Sequence, residues 1–144
     1  MAGYSGTPLP QKLGIKPGHR VVLLGAPRGF AAALGPLPPG VAPRTRLAPA
    51  DVILFFTRER AALEDRLAAL HQALDPAGGL WICWPKKASG VATDMTEDVV
   101  RAVALPRGLV DNKVCAVDDT WSGLRLVVRL ADRPKKQPAR RRRS

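Results

Sequence analysis

The chain has 144 residues, 46% of them hydrophobic, with 23 basic against 12 acidic side chains and a net charge of +11. This length suits one domain with its own core, and the apolar content excludes a chain that is disordered throughout. The longest apolar runs, 21–24 and 52–56, fall far short of the ~20 residues of a membrane span, and residues 1–14 hold no signal-peptide core, so a cytoplasmic protein is expected.

Residues 1–6 read as a loose arm. Thr7 followed by Pro8 suits a helix cap with proline at the first helical position, so a short helix to Leu13 is predicted, then a turn over 14–18. Residues 20–25 are a continuous apolar run, the pattern of a strand covered on both faces. The loop 25–30 follows, and a helix can begin at 31–34. Residues 35–50 are rich in proline and glycine and leave room for at most one short edge strand, at 44–47. A second strand is predicted over 51–56. In the helix predicted over 59–74, Leu63, Leu67, Leu70 and Leu74 form one apolar stripe.

Residues 75–79 stop that helix, and a third strand is predicted over 80–84. Asp94 reads as the cap of the next helix, with Glu97 completing a capping box and Met95, Val99 and Val103 facing inward. Residues 106–108 end it. Strands are predicted over 113–117 and 124–130, joined by so short a turn that they must be antiparallel. Cys83 and Cys115 lie in strand-like runs and read as reduced core residues, and no His/Cys spacing fits a metal site. The last segment, 132–144, carries a charge of +6, leaving +5 for the other 131 residues, and reads as a disordered basic tail.

The alternation predicts an α/β domain over 1–131: a Rossmann-like, mostly parallel sheet flanked by helices and ending in an antiparallel hairpin. In such sheets ligands bind beyond the carboxyl ends of the strands. The unusual polar clusters, in loops 25–30, 57–58, 84–93 and 118–121, all fall on that predicted edge. Lys86, Lys87, Ser89, Thr93 and Thr96, beside a helix start, form a candidate anion site. Gly25, Arg28, Gly29, Trp84, Asp118, Asp119 and Trp121 form its candidate rim, with the two tryptophans placed to flank a planar ligand. The alternative reading of each is structural: an ordinary cap, tryptophans packed at the core's rim, and an aspartate-stabilised turn. Arg140, Arg141, Arg142 and Arg143 could attract nucleic acid without base-specific reading. His19 and His71 have no partner in sequence that would make a nucleophilic triad.

Two resemblances rest on these residues. Segments 17–25 and 74–82, with the final hairpin, resemble the first strand and glycine loop, the entry to the fifth strand, and the hairpin of class I methyltransferases. That resemblance implies binding of S-adenosylmethionine. Pro27 and Arg28 stand where that family has further glycines, and 35–50 contains no acidic residue for the ribose hydroxyls. Segments 3–9, 84–87, 93–97 and 109–124 are similar to the short bacterial proteins called Domain of Unknown Function 3052, which implies no particular activity. Three functional readings follow: a non-catalytic binding or regulatory protein with a small anionic or nucleotide-like ligand; a divergent S-adenosylmethionine-dependent methyltransferase; and a nucleic-acid-associated protein acting through its tail. No side chain on that edge makes an arguable catalytic group.

Overall fold

The structure, a computed structural model, describes residues 7–132. The predicted arm at 1–6 and all of the basic tail beyond Asp132, including Arg140–143, lie outside the described residues.

Helix α1 (Leu9–Lys12) precedes strand β1 (Val21–Leu24), helix α2 (Phe30–Leu34), strand β2 (Ala50–Phe56) and helix α3 (Arg60–Ala73). Strand β3 (Leu74–Pro85), helix α4 (Glu97–Ala104), and the hairpin strands β4 (Leu109–Ala116) and β5 (Trp121–Val128) complete the fold. The sheet order is β1-β2-β3-β5-β4. β1, β2 and β3 are parallel, β5 is antiparallel to β3, and β4 is antiparallel to β5, so every strand except β5 runs the same way. The expected mostly parallel sheet with a terminal hairpin is present, and β5 turns back to lie between β3 and β4.

β1 and β2 are apolar on both sides because both faces are covered. On one face α3 and α4 pack through Leu63, Leu67, Leu70, Val100, Val103 and Ala104 onto Ile53, Phe55, Leu80, Ile82, Trp84, Leu124 and Leu126. Each fully buried leucine of α3 contributes about 1.5–3 kcal/mol of transfer free energy. On the other face Leu13, Ile15, Phe30 and Leu34 cover Val21, Leu23, Leu54, Phe56, Trp81 and Cys83. Trp81 is wholly buried there, and its indole N–H donates to the Leu13 carbonyl at 3.0 Å, fixing the segment after α1 to the sheet.

Several boundaries differ from the sequence reading. The edge strand expected at 44–47 is a single parallel bridge between Arg44 and Val22. β3 starts at Leu74, six residues before the predicted strand, through an irregular stretch between Leu74, opposite Ala50, and Gly79, opposite Val52. β4 and β5 each begin earlier than predicted, at Leu109 and Trp121. Met95, which precedes α4, is buried, and on the helix itself Val100, Val103 and Ala104 are buried while Val99 is only partly so.

Candidate functional site at the carboxyl edge

The register gathers the predicted loops on one edge. Leu24 stands beside Phe55, Phe56 beside Cys83, and Pro85 beside Trp121. The turns after β1, β2 and β3 and the β4–β5 turn therefore share that edge.

The turn after β1 is built on Gly25, at φ +70°, where a Cβ would come within 2.8 Å of the Phe56 carbonyl oxygen. A side chain is excluded there both by the left-handed backbone and by the close approach of β2. Gly29, at φ +85°, precedes α2 and has open space around its missing Cβ. Arg28 between them is exposed. Beneath this turn runs a row of aromatic rings: Phe30 and Phe56 have centroids 4.9 Å apart and Phe56 and Trp121 5.3 Å apart, both edge-to-face.

Trp84 and Trp121 do not flank a common ligand. Trp84 is buried on the α3–α4 face, whereas Trp121 is half-buried on the opposite face, against Phe56. The cause is parity. Trp121 sits opposite Pro85 and Trp84 opposite Ser122, so the two rings leave the sheet on different sides. Asp118 closes the β4–β5 turn, its Oδ1 accepting from the amides of Thr120 at 2.8 Å and Trp121 at 2.7 Å. Asp119 beside it is exposed.

The candidate anion stretch is more committed to its own structure than its sequence suggests. The Lys86 amide donates to the Thr120 carbonyl at 2.7 Å, and Lys87–Ser89 form one 3-10 turn ended by Gly90 at φ +77°. The Ser89 hydroxyl donates to the Lys86 carbonyl at 2.7 Å and accepts from the Val91 amide at 3.1 Å. The Thr93 hydroxyl donates to the Arg58 carbonyl at 2.6 Å and accepts from the Met95 amide at 3.0 Å.

Asp94 does not cap α4. Its Oδ1 accepts from the Arg60 amide at 2.7 Å, at the first residue of α3, and Thr96 caps α4 through the Val99 amide at 3.1 Å. Glu97 becomes the first residue of α4 and pairs with Arg101, so no capping box forms. All three hydroxyls of the candidate site thus have partners within the fold. Among the described residues the ammonium groups of Lys86 and Lys87 have no carboxylate partner.

The two cysteines lie on the α1 face, on either side of Gly123 in the register. Burial, with smaller contributions from Cys115 and Asp118, pushes the Cys83 thiol far above its ordinary pKa. Half-buried Cys115 is also raised, by burial first, with Lys12, Lys113 and Lys86 acting in the opposite direction. Among the described residues no group of three His, Cys, Asp or Glu side chains is placed to hold a metal ion, and no helix is long and apolar enough to cross a membrane.

Comparison of the whole fold with solved structures returns S-adenosylmethionine-dependent methyltransferases. The chain is similar to such a methyltransferase from Aquifex aeolicus, with a TM-score of 0.57 and 15% identity over 82% of this chain and 87% of that one. It is also similar to a ribosomal protein L11 methylase from Lactobacillus delbrueckii subsp. bulgaricus, with a TM-score of 0.55 and 12% identity over 84% of this chain and 75% of that one. At these identities the likeness establishes the fold. No family model matches the chain, that of the unknown-function family included, and no curated protein matches it.

Proposed function

We propose that this chain is a shortened, divergent protein of the S-adenosylmethionine-dependent methyltransferase fold, and that its carboxyl edge takes a nucleoside-type ligand of that class against the Gly25–Gly29 turn and Trp121. The observation that carries this reading is the Gly25 turn. It is held at positive φ against the β2 backbone, at the end of the first strand of a sheet shared with methyltransferases, and beside a half-buried tryptophan face.

The fit to S-adenosylmethionine is partial. The bare turn suits close approach of a ligand to the backbone, and Trp121 offers an aromatic surface for a base. Residues 35–50, which follow the turn and α2, contain no Asp or Glu to hold a ribose, and along the free edge of β1 the bridging residue is Arg44. The reading is one of ligand binding, with S-adenosylmethionine and S-adenosylhomocysteine as the first compounds to test.

A second reading, a small anion at Lys86 and Lys87, is favoured by one observation. The ammonium groups of Lys87, on the 3-10 turn, and of Lys86, just before it, have no carboxylate partner among the described residues. Thermal unfolding of the full chain separates the two readings. S-adenosylhomocysteine at a hundred times its dissociation constant should add ~2.7 kcal/mol, a rise of roughly 9 °C for a domain of this size. That rise should be lost in Trp121→Leu and kept in Lys86→Gln/Lys87→Gln. A rise with inorganic phosphate alone that disappears in the double lysine variant would replace the first reading by the second.

A further inference from the structure

A groove lies away from the carboxyl edge, between α1 and the β4–β5 hairpin. It is open to solvent, has a volume of about 180 Å³ and is lined by Gln11, Lys12, Gly14, Asn112, Lys113 and Arg125. Three of these residues are cationic, two carry amides and none is acidic. Arg125 is four residues along β5 from Trp121, about 13 Å at the rise of a strand, so this groove is distinct from the edge considered above. We propose that it is a binding site for a small phosphate-bearing anion, with Lys12, Lys113 and Arg125 supplying the charge.

The groove is built by three different elements. Lys113 sits opposite Arg125 in the hairpin register, which puts both side chains on the α1 face. The Lys113 ammonium donates to the Lys12 carbonyl at 2.9 Å, anchoring it at the carboxyl end of α1 and leaving two of its three protons to reach a ligand. The Arg125 guanidinium lies across Gly79, where a Cβ would come within 2.8 Å of its Cζ, so it occupies space that only glycine leaves open.

Gly14 contributes no side chain, and nothing stands within 4 Å of its missing Cβ, which keeps that wall clear. The volume is far above the ~10–15 Å³ that one water requires. Cys115 follows Lys113 on the same face of β4; burial raises its thiol pKa, and Lys12, Lys113 and Lys86 act in the opposite direction. A planar guanidinium fork with two ammonium groups and side-chain amides is a donor set suited to phosphate oxygens rather than to a single carboxylate.

Calorimetric titration of the full chain with pyrophosphate, at ionic strength held constant with sodium chloride, tests the site. The expected result is saturable one-to-one binding that weakens at least tenfold in Lys12→Gln/Lys113→Gln. It should weaken severalfold in Gly79→Ala, which retains every charge and displaces only the guanidinium. Lys16→Gln, an exposed lysine outside the groove, serves as the charge control and should bind as the parent does. Thermal unfolding of each variant checks that it is folded. Absence of saturable binding to the parent, or equal binding by the double variant, would overturn the proposal. So would a parent that ignores pyrophosphate and instead holds duplex DNA through Lys12 and Lys113, since that would assign the groove to a polynucleotide.

Discussion

Asp94→Ala separates two accounts of how the loop between β3 and α4 is held. In the structure Asp94 serves α3, 34 residues earlier in the chain, by accepting from the Arg60 amide at 2.7 Å. The Asp94 amide and the Thr93 hydroxyl are both bound to the Arg58 carbonyl, at 3.3 and 2.6 Å. Replacing a capping oxygen costs about 1 kcal/mol, and removing a negative charge from a helix start about 0.3–1 kcal/mol more. Asp94→Ala should therefore destabilise the fold by about 1–2 kcal/mol, a fall in Tm of roughly 3–7 °C. Asp94→Asn keeps an acceptor and should lose only the smaller, charge-dependent part. Hydrogen exchange locates the effect: in Asp94→Ala the Arg60 amide should lose its protection, while the Val99 amide, held by Thr96 at 3.1 Å, keeps its own. Thr96→Ala should do the reverse. If Asp94→Ala exposed the amides at the start of α4 and left Arg60 protected, the cross-helix cap would be refuted and the local capping box restored.

Gly25→Ala should cost about 1 kcal/mol more than Gly90→Ala in denaturant unfolding, because both have positive φ but only Gly25 would place a Cβ against backbone, 2.8 Å from the Phe56 oxygen. For Asp51, burial pulls the carboxyl pKa up, but hydrogen bonds from the Arg20 side chain and amide and the guanidinium charge outweigh it and leave the pKa lowered. Its stabilisation is then present above the unfolded aspartate pKa and lost as pH falls through the lower folded value. The pair is partly exposed, so Asp51→Asn should remove only about 1 kcal/mol of acid-dependent stability; an unchanged acid limb in the unfolding midpoint would count against it. Thiol labelling should modify half-buried Cys115 in the folded protein and reach wholly buried Cys83 only on unfolding. Because both thiol pKa values are raised, their contribution to stability is complete below the ordinary thiol range and lost as pH rises through the folded values.

Much of the fold is legible in the sequence because its signals are local and strong. The runs at 21–24 and 52–56 lack polar residues because both faces of β1 and β2 are covered, and the leucine stripe of α3 is buried as its spacing predicts. The carboxyl edge followed from the order of the elements alone. The cap of α4 was not legible in that way. Asp94 and Glu97 have the spacing of a capping box, but the competing donor is an amide of α3 brought close only by the tertiary fold.

The tryptophan pair failed for a different reason. Proximity at an edge does not fix the face, and one residue of register separates Trp84, under α3 and α4, from Trp121, beside Phe56. The groove under α1 gave no linear motif at all. Lys12, Lys113 and Arg125 belong to three elements, and Gly79, read as part of a helix stop, makes space for a side chain 46 positions away.

The proposed function puts a nucleoside-type ligand at the carboxyl edge on the Gly25–Trp121 side. The most direct measurement is amide and indole chemical-shift mapping of the full chain during titration with S-adenosylhomocysteine. Saturable shifts are expected at Gly25, Arg28, Gly29, Thr57 and the Trp121 indole, with Trp84, buried on the opposite face, unmoved. Shifts confined to Lys86–Gly90, or none at concentrations that saturate a methyltransferase, would contradict it.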